Sequence, residues 1–238
     1  MQHNNNYVLI FTLAMTVVVA VVLAGLFSAL KDVHDANEAI YNKRQILGSV
    51  KADLGIKDVK TLSDAQVAEY FNKATQLVVN YKGAPVKTDV KAEEVKMEKE
   101  EKKPLEERQF PVFIMPTDNG QRYILTVRGN GLWDKIWGWV ALEEDLQTVA
   151  GAAFGHKGET PGLGAEIKDN ESFPAQFAGK KIYKNGEFVA IEVKKGGAVD
   201  KTYQVDGISG ATITCDGVTD MMLEGIGFYL PYLATVSK

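Results

Sequence analysis

Phe110-Pro-Val-Phe-Ile-Met115 and Arg122-Tyr-Ile-Leu-Thr-Val127 are two apolar runs, parted by Asp118-Asn-Gly120 and closed by Gly129-Asn-Gly131. Each run is rich in β-branched and aromatic side chains, and each break supplies the residues that a tight reversal needs. The pair predicts two strands of an antiparallel hairpin. Further runs of the same character at 137–142, 149–154 and 188–193, the last after an Asn-Gly pair, extend the pattern to a mostly antiparallel sheet. Helical patterns flank it on both sides, so the fold class is α+β. No internal repeat is present.

Upstream, residues 7–30 carry no charge and are dominated by Val, Leu, Ala and Ile. As a helix this run reaches about 36 Å, enough to cross a hydrocarbon core of about 30 Å. We expect a retained single transmembrane helix rather than a cleaved leader, because no basic segment precedes it and no small-residue cleavage site follows. The flanking cations, Lys31, Lys43 and Arg44, all lie after the run, which by the positive-inside rule favours a cytoplasmic domain. The expected organisation is a tail and membrane helix over residues 1–30, then a helical stalk and an amphipathic helix over 31–90. The amphipathic helix is read from Val67, Tyr70, Phe71, Ala74, Leu77, Val78 and Tyr81, with Ser63 and Gln66 as a capping box and Gly83 as its stop. Residues 91–109, dense in Lys and Glu, read as a solvated charged insertion, flexible or partly helical, and residues 110–238 as the main domain. A final helical stripe through Val218, Met221, Met222, Ile226 and Tyr229 is expected to stop near Pro231.

The 238 residues carry a formal net charge of −4, which offers no attraction to a polyanion and argues against nucleic-acid binding. One cysteine, Cys215, excludes a disulfide framework, a CxxC pair or an iron–sulfur cluster held by this chain alone, and it reads as a packed thiol. With three histidines and no GxxxxGK[ST], HExxH or GxSxG string, phosphate-loop, zinc and serine-hydrolase chemistries have no support. No metal site is expected.

Two glycine-rich segments remain, Glu159-Thr-Pro-Gly-Leu-Gly164 and Asp206-Gly-Ile-Ser-Gly-Ala-Thr212. In the second, the small residues Ser209, Gly210 and Ala211 expose backbone just before a helical pattern that Thr214 or Asp216 could cap. The free amides of such a start suit a phosphate. A plain strand-to-helix turn has the same composition, and spacing alone leaves both readings open.

The particular string resembles the acceptor signature of proteins that carry FMN through a phosphoester on the last threonine, placed there by a flavin transferase. With Gly129-Asn-Gly-Leu-Trp133, Gly138-Trp-Val-Ala-Leu142, Thr148-Val149 and Gly179-Lys-Lys181 in order, the chain resembles the NqrC family, the C subunits of the sodium-translocating NADH:quinone reductases. The resemblance implies that Thr212 bears covalent FMN, that Ser209, Gly210 and Ala211 present it, and that residues 110–238 are an FMN-binding domain. It further implies that Glu159, Thr160, Leu163 and Gly164 approach the flavin, with Asp206 read by the transferase. Glu159 has two readings, a hydrogen bond to the ribityl chain or an anchor for its own loop. Trp133 likewise has two, packing on the ring or core. Trp137 and Trp139 are assigned to the core, and His156 to no role. The implied partners are the other subunits of the reductase complex, the flavin transferase and the membrane. The implied location is the bacterial inner membrane with the flavin domain in the periplasm, against the charge bias. Two alternatives are the G subunit of an Rnf-type complex, which shares both glycine-rich motifs, and a non-redox anchored binding module.

Overall fold

The computed structural model describes residues 5–237. The tail before Asn5 lies outside the described residues. Helix α1 (Asn5–Gly48) opens the chain, with mean hydropathy 2.7 over its most apolar stretch, none of which is buried. It is long and apolar enough to cross a membrane. The chain divides into two compact units between Asn42 and Lys43.

The second unit is built on five strands: β1 (Thr75–Asn80), β2 (Gln109–Thr117), β3 (Gly120–Asn130), β4 (Lys135–Leu142) and β5 (Val149–His156). They form an antiparallel meander in the order β1-β2-β3-β4-β5. The Asp118-Asn119 turn closes the β2–β3 hairpin, with Thr117 opposite Gly120 at positive φ. Both faces of the sheet are covered, which is why its strands read as near-continuous apolar runs rather than as clean alternation. One face, through Phe113, Met115, Ile124, Trp139 and Ala141, packs on Ile46, Leu47 and Val50 and on α2 (Asp64–Lys73). The other, through Val112, Leu125, Val127, Ile136 and Val140, packs on the C-terminal helices α6 (Thr212–Gly227) and α7 (Leu230–Val236).

Between sheet and C-terminal helices run short elements. After α3 (Met97–Glu100), which precedes β2, come α4 (Glu166–Asp169) and α5 (Ser172–Ala175), β6 (Tyr183–Lys184) paired with β7 (Glu187–Phe188), and β8 (Glu192–Lys194) parallel to β9 (Gln204–Asp206). Helix α6 lies close on β3 because glycines face it. A Cβ on Gly225 would sit 2.7 Å from the Val127 side chain, and one on Gly217 would strike the Asn130 carbonyl. Tyr229 is fully buried, and its hydroxyl lies within hydrogen-bond reach of the carbonyls of Pro111 and Thr126, stitching the end of α6 to β2 and β3.

Three expectations are corrected. The helix begun by the Ser63–Gln66 capping box ends at Lys73, and Leu77 and Val78 lie instead on β1, where Thr75, Val78 and Val79 favour extended backbone and β2 supplies the partner. The sheet therefore starts before residue 110. Residues 91–109 are partly helical: two 3-10 turns and α3 seat Ala92 and Glu100 in buried positions, and the Glu100 carboxylate accepts from Lys103 and from the Gln109 amide. The run 188–193 is broken by Ala190 at positive φ and joins no strand of the main sheet. The helix with the Val218–Ile226 stripe does stop shortly before Pro231, at Gly227, but Tyr229 lies beyond it and Pro231 stands in the first turn of a separate helix, α7, where its missing N–H costs nothing.

Candidate functional site

Three segments meet at the start of α6: the β3–β4 loop with Leu132 and Trp133, the turn after β5 with Glu159, Thr160, Leu163 and Gly164, and the 206–212 approach to the helix. The first is a four-residue reversal closed by the Gly131 amide on the Asp134 carbonyl at 2.8 Å. The second is a tight turn in which Gly162 adopts positive φ and the Thr160 carbonyl accepts from the amides of both Leu163 and Ala165. In the third, Asp206 holds the Ala198 amide through its carboxylate at 2.7 Å, while its own backbone exchanges two bonds with Gln176.

Glu159 ties the three together. Its side chain is buried; one carboxylate oxygen accepts the Trp133 amide at 3.0 Å and the other accepts the Thr214 hydroxyl at 2.6 Å. Burial pushes this carboxyl up, but the bonds from Thr214 and from the Trp133, Asp134 and Leu132 amides together outweigh it and hold it below the ordinary glutamate value. Gly131 and Gly164 leave room for the staple, since a Cβ on either would strike the Glu159 carboxylate. Glu159 thus anchors its own loop and two other segments with it.

Thr212 is the first residue of α6. The residue before it, Ala211, stands at the N-cap without a side-chain bond, and the first backbone bond runs from the Cys215 amide to the Ala211 carbonyl. The amides of Thr212, Ile213 and Thr214 thus have no acceptor within the helix. Of the two capping residues expected from the pattern, Thr214 spends its hydroxyl on Glu159, and Asp216 is exposed one turn along. The Thr212 hydroxyl has no hydrogen-bond partner among the described residues. Ser209 and Gly210 are exposed, and Gly210 at positive φ packs under Leu163, whose Cδ2 would lie 2.7 Å from a Cβ there. Ala211, expected in the accessible loop, is buried.

Around Thr212 the surface is unusually apolar: Leu132 is 48% exposed, Trp133 69%, Leu163 40% and Ile213 57%. Trp133 is not core. Its indole N–H donates to the Thr160 hydroxyl at 3.1 Å, which sets the ring's edge and leaves the Thr160 proton available to a ligand. Leu132, Ile213 and Thr214 were missed as site residues from sequence; they flank residues that the motifs named, but nothing local marks an isoleucine at a helix start as exposed. Trp139 is buried as expected, whereas Trp137 is only partly so and lies under the Arg128 guanidinium. Cys215 is buried, burial pushes its thiol up, and its sulfur accepts the Ile208 amide at 3.3 Å, as befits a packed residue. Among the described residues no cluster of His, Cys, Asp and Glu could hold a metal.

Comparison with known proteins gives the same residues a common setting. The model of the FMN-binding domain family matches residues 131–226, which contain all three segments. The C subunit of the Na(+)-translocating NADH-quinone reductase from Pseudomonas aeruginosa is 32% identical over 95% of this chain and 93% of its own length. The one from Vibrio vulnificus is 47% identical over 123 residues, and that match spans about half of either protein, 50% of this chain and 48% of the relative. The crystal structure of the same kind of protein from Parabacteroides distasonis is similar at a TM-score of 0.74 and 35% identity, covering 86% of this chain and 96% of the other. That of Shewanella oneidensis NqrC shares the fold at a TM-score of 0.69 and 24% identity, covering 84% and 99%.

Proposed function

The chain belongs to the NqrC family, the C subunits of the Na(+)-translocating NADH-quinone reductase, and from that membership we propose that it is a membrane-anchored flavin subunit of such a complex, with FMN joined to Thr212 by a phosphoester. The observation that carries this reading is the uncapped start of α6: a hydroxyl without a partner among the described residues, at a helix terminus with free amides, ringed by exposed apolar side chains. A phosphodiester on Thr212 supplies the negative charge and the acceptors that this terminus lacks. The residues present therefore fit the group.

Bound FMN supplies the redox chemistry; the chain's own residues bind, orient and shield it. Leu132, Trp133, Leu163 and Ile213 offer apolar surface on which an aromatic ring loses water. The Thr160 hydroxyl, fixed by the Trp133 indole, is placed to donate a hydrogen bond, and the Glu159 staple keeps both loops at the helix that bears the attachment point. A covalent tether suits so open a site, because retention does not then depend on noncovalent affinity. Helix α1 anchors the domain in the bacterial inner membrane, the other subunits give and take the electrons, and a flavin transferase installs the cofactor. We infer that sodium coupling belongs to the assembled complex and that the domain faces the periplasm.

The test is the mass of protein purified from its native membrane, with mapping of the peptide that contains Thr212. An increment of roughly 440 Da on that peptide is expected. Thr212→Ala should abolish it while moving stability by about 1 kcal/mol or less, since a partly exposed threonine with no side-chain bond is removed. Flavin retained covalently in that variant overturns the assignment of Thr212.

A further inference from the structure

His156, the last residue of β5, stands apart from every role described so far. Its Nδ1 accepts the Glu159 backbone N–H at 3.2 Å, while its Nε2 is buried and has no hydrogen-bond partner. The first fact fixes the chemistry of the ring. A nitrogen that accepts a backbone N–H carries a lone pair, so the imidazole is neutral and its proton sits on Nε2. The second fact gives an added proton nowhere to be received: the imidazolium would place an Nδ1–H against the Glu159 N–H, donor against donor, and its other N–H would still lack an acceptor.

We propose that His156 is a positioning residue of the flavin site, holding the Glu159 turn while neutral and releasing it when protonated. The inference rests on the flavin reading above for its functional meaning. The path is short and continuous: strand β5 fixes His156, His156 fixes the Glu159 backbone, and the Glu159 carboxylate fixes Trp133 and, through Thr214, the first turn of α6. Loss of the first link removes the backbone hold on Glu159 and leaves the turn to its side-chain bonds with Trp133 and Thr214.

The charged groups of the surrounding elements do not mimic this behaviour. On β4, Lys135 pairs with Glu101; in the turn itself Lys157 pairs with Asp134, and the Glu159 carboxyl is held low. Helix α4 contributes Glu166, Lys168 and Asp169, and α5 carries no ionisable group. Of the side-chain types present, only an imidazole ordinarily changes charge between about pH 5 and 8.

The experiment is hydrogen exchange of the full chain in detergent, read by mass spectrometry on the peptide spanning 157–165 and normalised for intrinsic rate, at steps from about pH 7.5 to pH 5. The expected result is a reversible loss of protection, about five- to tenfold, on acidification. His156→Asn, whose side-chain carbonyl can take the same N–H but not a proton, should keep the protection and lose the step. His156→Leu should show the unprotected level at every pH. A step that survives in His156→Asn, or wild-type protection in His156→Leu, overturns the proposal; if the leucine variant does not fold, the asparagine variant decides. In flavin-loaded protein the visible circular dichroism of the flavin should follow the same step. Because the exchange measurement needs no flavin, an unmodified Thr212 would sink the flavin reading without touching the His156 result.

Discussion

Replacing Glu159 by Ala is the sharpest test of how the site is held together. The side chain is buried, and it receives the Thr214 hydroxyl at 2.6 Å and the Trp133 amide at 3.0 Å. Hydrogen bonds to a charged acceptor are worth about 1.5–3 kcal/mol each, and the 1% exposed Thr214 hydroxyl cannot turn to water instead. Alanine also leaves empty the space that Gly131 and Gly164 were kept small to provide. We expect a loss of about 3 kcal/mol, or roughly 6–12 °C in Tm for a domain of this size. Glu159→Gln, which keeps the shape and one acceptor, should cost about 1–2 kcal/mol. The assay is thermal unfolding of the full chain in detergent, with the yield of flavin on Thr212 read alongside. Thr214→Val, made alone and with Glu159→Ala, closes a cycle, and the double variant should lose clearly less than the sum of the singles. Acid should act in the same direction. A carboxyl held low in the folded state contributes stability above its unfolded value near pH 4.3, and that contribution is lost as pH falls through the folded value. A Glu159→Ala variant whose Tm stays within about 2 °C of wild type, or a strictly additive cycle, would refute the staple.

Two further outcomes follow from the packing of α6 and from the anchor. Gly217→Ala, which on helix propensity alone should gain about 1 kcal/mol, should instead destabilise by about 2–3 kcal/mol and lower the flavin yield, because its Cβ would strike the Asn130 carbonyl; Gly158→Ala, with open space at its Cβ, is the matched control and should be near neutral in the same melts. Protease added to intact spheroplasts should cleave the domain from its anchor, whereas the charge bias of Lys31, Lys43 and Arg44 would leave it protected.

The parts of the fold that local chemistry dictates were legible, and those that depend on distant partners were not. Ser63 and Gln66 mark a helix start because both bonds of a capping box lie within four residues, and both are present. Where that helix ends could not be read the same way. Leu77, Val78 and Tyr81 satisfy a helical spacing, yet the register Thr75↔Ile114 through Asn80↔Gln109 gives the first two a strand, and the partner β2 lies far along the chain. The same limit applies at the site. Thr212, Thr160 and Leu163 announce themselves by motif, but the anchoring bonds of Glu159 are made to Trp133 and Thr214, 26 and 55 residues distant. His156 carried no signal at all, since its hydrogen bond is made to a backbone amide, and almost any residue supplies one.

That distribution has a consequence for how the site can vary. The groups that would touch the flavin are exposed and make few bonds, so Leu132, Leu163 and Ile213 can change with little cost to the fold. The groups that place them are buried and mutually dependent: Glu159 requires glycine at 131 and at 164, and Thr214 requires Glu159. Substitution at the surface should therefore tune the cofactor's surroundings one residue at a time, while substitution beneath should fail as a unit. A flavin attached through Thr212 would fit this division, because the tether would fix one end of the cofactor to the helix and leave the ring to be adjusted by exposed side chains.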